Sequence, residues 1–160
     1  MRKAHHSQGF SLLEVLIYSG IITGFITFTI LSAYQMIEYS GRLEKQRELN
    51  ENQRFLVQKL HWALSSVQTV NNPALGGTGA TLSVNKIGFG SNPIVIDAVN
   101  GAVRMSLGGG APVALTNRYA STTNLLFDYQ NFYGEGIMKV TADLSNDVAT
   151  TSINTNIFVR

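Results

Sequence analysis

Hydrophobic and polar positions divide the chain into three regimes. From Val15 to Ile37, 23 consecutive residues carry no formal charge, and Glu14 and Glu38 bound the run. Leu16, Ile17, Ile21, Ile22, Phe25, Ile26, Phe28, Ile30 and Leu31 leave this stretch no polar face. A helix of that length reaches about 34 Å, enough to cross a hydrocarbon core of about 30 Å. Residues 38–54 then turn strongly polar, and Leu43 and Leu49 stand nearly alone among the charges. Opposite charges fall at helical spacing in Glu38/Arg42, Glu44/Arg47 and Glu51/Arg54, as on a solvated helix. Phe55, Leu56, Leu60, Leu64 and Val67 restore an apolar stripe, which predicts packing beneath a domain. Asn71-Asn72-Pro73 is the predicted end of the helix.

Beyond Gly76 the period changes to two. Leu82 and Val84, then Ile87 and Phe89 in changed phase, predict a first strand. Residues 93–99 and 102–107 flank Asn100-Gly101, the favoured pair for a type I′ hairpin turn. Leu125, Phe127 and Tyr129 alternate with Leu126, Asp128 and Gln130, and Met138, Val140, Ala142 and Leu144 with Lys139, Thr141 and Asp143; Ile153, Ile157 and Val159 predict a last strand. Short links between such strands favour an antiparallel sheet with one buried face, covered by the helix stripe. The predicted fold class is α+β: a long N-terminal helix, half transmembrane and half spine, packed on a C-terminal antiparallel β head. The expected divisions are a basic leader over 1–9, a transmembrane and assembly helix over 10–37, a stalk and spine helix over 38–72, and the head over 73–160.

Composition narrows the function. The 160 residues carry 12 basic and 10 acidic side chains, a net charge of +2. Arg2 and Lys3 supply that excess, so the rest of the chain is neutral and no nucleic-acid partner is expected. With no cysteine there is no disulfide framework, thiolate metal site or cysteine nucleophile. No histidine follows His61, and His5 and His6 lie in the leader. Gly76-Gly77-Thr78-Gly79 and Gly108-Gly109-Gly110 lack the lysine of a phosphate loop. Asp97, Asp128, Glu135, Asp143 and Asp147 are scattered, and Asn146-Asp147 alone is thin for calcium. The expectation is a non-enzyme with no metal and no cofactor. Tyr129, Phe132 and Tyr133 are candidates for an exposed contact patch.

Glu14 is the anomaly of the apolar segment. An unpaired carboxylate costs about 2.5–3.5 kcal/mol at the bilayer centre, so a charge among Leu12, Leu13, Val15 and Leu16 calls for a partner. A plain signal anchor leaves it unexplained, and a signal peptide cut after Leu31-Ser32-Ala33 has too long a core.

The run Gly9-Phe10-Ser11-Leu12-Leu13-Glu14-Val15-Leu16, after a short basic leader, resembles the processing site of type IV pilins and type II secretion pseudopilins. Ala33-Tyr34-Gln35 is also similar to the end of many pilin spans. The resemblance covers about the first 40 residues, and the chain departs from many major pilins in having no proline before Pro73. It implies cleavage by a prepilin peptidase after Gly9, N-methylation of the new terminus Phe10, and an assembly role for Glu14 at the fifth mature position.

The charge logic also stands without the family. Cleavage would place a cationic amine on Phe10 near Glu14, four residues away in the same helix, where pairing is awkward. Between staggered helices the amine of one subunit neutralises the glutamate of the next. Gly20 and Gly24, one turn apart, allow close helix packing. The basic leader puts the N-terminus in the cytoplasm, making a single-pass inner-membrane protein with an extracytoplasmic head. The expected role is a structural subunit of a pilus or pseudopilus, similar in its head to minor pseudopilins of the J or W kind. Its partners would be the peptidase, other pilin or pseudopilin subunits and the membrane. The alternative is a membrane-anchored binding or receptor domain that never polymerises, in a secretion or DNA-uptake machine.

Overall fold

The computed structural model describes residues 11–160. It holds a helix α1 (Leu12–Leu64) followed by nine strands. These are β1 (Val67–Asn72), β2 (Thr78–Gly79), β3 (Leu82–Lys86), β4 (Ile94–Val99), β5 (Ala102–Leu107), β6 (Val113–Ala114), β7 (Ser121–Phe132), β8 (Glu135–Ser145) and β9 (Thr150–Val159). The class is α+β, as the patterning predicts. Two compact units divide the chain between Arg42 and Leu43.

The first unit is helical. Its apolar side chains are exposed almost throughout, Phe25 to 71% and Phe28 to 69%. A water-soluble surface does not normally present so many adjoining large apolar residues. Among the described residues α1 is the one helix long and apolar enough to cross a membrane.

The second unit combines the rest of α1 with two antiparallel sheets, ordered β1-β3-β4-β5-β6 and β2-β7-β8-β9. The expectation of a single sheet is corrected to two. Leu56, Leu60 and Leu64 of α1 are fully buried with Leu82, Ile94 and Ile96 of the first sheet and Phe127, Met138 and Val140 of the second. Each such side chain contributes about 1.5–3 kcal/mol by leaving water, so this shared core holds both sheets to the helix.

The helix packs from Leu49, 1% exposed, rather than from Phe55, which lies outside under the Lys59 ammonium at 5.3 Å from its ring centroid. Buried positions 49, 56, 60, 63 and 64 fit one helical face, and Phe55 falls off it. The helix also ends earlier than Asn71-Asn72-Pro73. It stops at Leu64, Ser66 takes a left-handed φ of 55°, and residues 67–72 become β1, paired antiparallel with β3. The head therefore begins at Val67, not at residue 73. Val67, Thr69 and Val70 are β-branched and gain more from the pleated edge of a sheet than from a further helical turn.

Four strand details position the surfaces described below. Asn100 and Gly101, at φ 53° and 77°, form the predicted turn, with Val99 opposite Ala102 and the Asp97–Arg104 pair bonded across β4 and β5 at 2.8 and 3.1 Å. Ile87 and Phe89 do not continue β3: a turn through Gly88 (φ 68°) leaves Ile87 exposed and sets Phe89 edge-on to Trp62 at 5.7 Å. In β7 the register shifts between Thr123 and Leu126, with Asn124 at φ 55°, so Thr122 and Leu125 are both buried although three residues apart. In β8 Met138, Val140, Ala142 and Leu144 are buried as their alternation predicts.

Candidate functional site

The chemistry-bearing part of the first unit starts at its first turn. Ser11 caps α1: the Glu14 N–H donates to the Ser11 carbonyl at 3.0 Å and to its Oγ at 3.2 Å. Ser11-x-x-Glu14 is the spacing of a capping box, and the carboxylate stands in the first turn where the helix dipole favours negative charge. Sequence reasoning about the charge missed this cap, although the spacing was legible. Glu14 is half-buried while Leu12, Leu13, Val15 and Leu16 around it are exposed.

From there to Ile37 three side-chain hydroxyls are bonded to the helix's own backbone. The Ser19 hydroxyl donates to the Leu16 carbonyl at 3.0 Å, Thr27 to Thr23 at 2.8 Å and Thr29 to Phe25 at 2.9 Å. Hydroxyls bonded to their own helix can lie in hydrocarbon without an external partner. Glu14 is then the single formal charge between Leu12 and Ile37. Gly20 and Gly24 lie one turn apart on one face, and a Cβ added at either would meet no atom within 4 Å. That bare strip admits another helix closely. Gly9 and Phe10, the expected cleavage and methylation positions, and the leader over 1–9 lie outside the described residues.

Of the three expected ion pairs on the polar stretch, Glu38–Arg42 forms, at 2.8 Å. In the second unit Lys45 turns instead to Asp147 in the β8–β9 loop at 2.5 Å, and Asn146 Nδ2 donates to the Lys45 carbonyl at 3.0 Å. The Lys45 ammonium beside it holds the Asp147 carboxyl below the usual carboxylate range. Asn146 Oδ1 accepts from the Val148 and Ala149 N–H groups, so both members of the considered calcium pair are engaged by the chain itself. No group of three metal-binding side chains occurs among the described residues. Asp143 accepts from Ser152 at 2.6 Å and Asn124 at 2.9 Å, and these bonds lower its pKa. Asp97, Asp128, Asp143 and Asp147 all make side-chain bonds within the second unit.

The three aromatic candidates separate. Tyr129 is half-buried against the core, whereas Phe132 and Tyr133 stand at the β7–β8 turn, edge-to-face at 4.6 Å and exposed to 59% and 93%. No family model, curated protein or solved structure matches the chain.

Proposed function

We propose that the chain is a structural subunit of a type IV pilus or type II secretion pseudopilus, of the minor J- or W-like kind, and not an enzyme. The observation that carries the reading is the Gly9-Phe10 junction four residues before Glu14, the one charge in an otherwise uncharged span. A prepilin peptidase removes the leader on the cytoplasmic side and Phe10 is N-methylated. The processed chain waits in the inner membrane with its head outside, then joins the filament through its helix. The Phe10 amine of one subunit meets the Glu14 carboxylate of its neighbour, and Gly20 and Gly24 let the helices approach. Removing one member of such a desolvated pair costs about 3–5 kcal/mol, enough to set the stagger between subunits.

Support comes from the exposed apolar helix, from three hydroxyls bonded within it, and from the bonding of Asp97, Asp128, Asp143 and Asp147 to other side chains of the chain. Mass spectrometry of the mature chain from its native host is the direct test. An N-methylated Phe10 terminus is expected; an intact Met1 or a cut near Ala33 overturns the reading. Absence from sheared filaments, with processing intact, favours a lone anchored receptor.

A further inference from the structure

The four sheet edges differ sharply. β2 and β6 are two residues long, and the β1 ladder is broken by register shifts. β9 pairs with β8 in unbroken register over ten residues. Natural edges of that length are usually guarded by a lysine, a proline or a bulge. β9 has none of these and carries no charge from Thr150 to Val159.

Its outward groups can be identified. In an antiparallel strand, residues alternate between pointing both main-chain groups at the partner and pointing both away. The Ser152 carbonyl accepts from Gln53 Nε2 at 3.2 Å, and Arg160 bonds Leu64 and Val67, so the even-numbered positions face away from β8. Between those two anchors, the outward groups of Asn154, Asn156 and Phe158 have no partner among the described residues.

The surroundings are selective. Asn156, Phe158 and Arg160 share an open cleft with His61, and Lys139 stands directly opposite Asn156 in β8. The Arg160 guanidinium lies 5.7 Å from the Phe158 ring centroid. No acidic side chain lines this cleft or its neighbour across Phe132, Ile137 and Lys139. Asp128 faces Lys139 only from β7, on the side away from β9. Gln130, Ile137 and Phe158 form one row across three strands, which a further apolar residue would extend.

We propose that the outer edge of β9 is a docking strand for an extended acidic segment of a partner protein, which adds to the sheet beside Asn154, Asn156 and Phe158. Main-chain bonds hold the segment, its acidic side chains meet Arg160, Lys139 and His61, and an apolar residue lies beside Phe158. This site is independent of the pilin reading and of the membrane helix.

The test uses the full chain in lipid nanodiscs and a probe peptide of about eight residues in which Glu, Val and Glu occupy successive positions of one face, with Thr between them. Fluorescence anisotropy should show binding, and hydrogen exchange over residues 152–160 should slow. The counterpart with Lys in place of Glu should bind at least about tenfold more weakly. Asn156→Pro removes an N–H that points away from β8, so it should weaken binding about tenfold or more with the melting temperature unchanged. Should that variant melt early, a peptide N-methylated at alternate amides probes the same bonds without touching the protein, and the same loss is expected. No binding, equal binding of the lysine peptide, or full binding of the N-methylated peptide overturns the proposal. So does concentration-dependent protection of 152–160 without peptide, which would assign the edge to a second copy.

Discussion

The ammonium of Lys86, at the end of β3, bonds the Trp62 carbonyl at 2.5 Å in the last turn of α1 and lies 4.7 Å from the centroid of the Trp62 ring. It also donates to Ser65 Oγ at 2.9 Å, whose own hydroxyl donates to the same carbonyl. A helix end without a glycine cap is thus closed from the neighbouring sheet by a cation, the charge a C-terminus favours. Burial lowers the Lys86 pKa, yet its bonds and the indole face replace the lost water.

Replacing this cap should loosen the joint between helix and sheet. Lys86→Met is expected to lose about 1.5–3 kcal/mol, the range for a hydrogen bond to a charged group. Lys86→Arg should lose less. Urea unfolding of the detergent-solubilised chain, followed by Trp62 fluorescence, measures both; a wild-type midpoint in the methionine variant would refute the role.

Acid should weaken the second unit through two carboxyls. Asp143 and Asp147 have pKa values below the ordinary 3.8, lowered by the hydroxyl and amide bonds to one and by Lys45 beside the other. Both bind protons less readily in the fold than in the unfolded chain, so their contribution is complete above about 3.8 and is lost as pH falls through the depressed folded values. Melting temperature should be insensitive to these groups at neutral pH and decline in acid. The double variant Asp143→Asn, Asp147→Asn should show a shallower acid decline; an identical slope would refute the assignment.

Under the proposed filament reading, capping and assembly should separate at the start of α1. Ser11→Ala removes the cap, worth about 1 kcal/mol, and should fray the first turn while leaving filament assembly largely intact. Glu14→Ala should leave membrane insertion intact and remove the subunit from sheared filaments. Immunoblotting of membrane and shear fractions compares them. Equal assembly of both variants would mean that the Glu14 carboxylate has no part in assembly.

Gly101 tolerates no side chain. At φ 77°, an added Cβ would fall 2.7 Å from Ser121 Oγ. Gly101→Ala should cost about 1–2 kcal/mol from the left-handed backbone alone, with further loss unless Ser121 moves. Chemical denaturation should detect it readily, and an unchanged midpoint would count against the turn geometry.

What the sequence disclosed follows from the range of the interactions. Asn100-Gly101 was legible because a type I′ turn is decided by two adjacent residues, and β8 because every second side chain meets the same core. The end of α1 was not: Leu64-Ser65-Ser66-Val67 keeps helical spacing, and the cap comes from Lys86, some twenty residues away in sequence. The shift in β7 depends on one left-handed Asn124, which composition does not announce. In the candidate site, the charge anomaly at Glu14 stood out against its apolar neighbours. The bond from its main-chain N–H to Ser11 went unread because the carboxylate had a longer-range explanation. The edge of β9 required the strand order of a second sheet, which a period of two cannot supply.

Ser19, Thr27 and Thr29 have a last consequence. With these three hydroxyls committed to their own backbone, the apolar stretch has fewer directional groups to offer a neighbour. Were such helices to pack together as proposed, they could trade places there with little change in enthalpy. Discrimination between partners would then fall to the second unit.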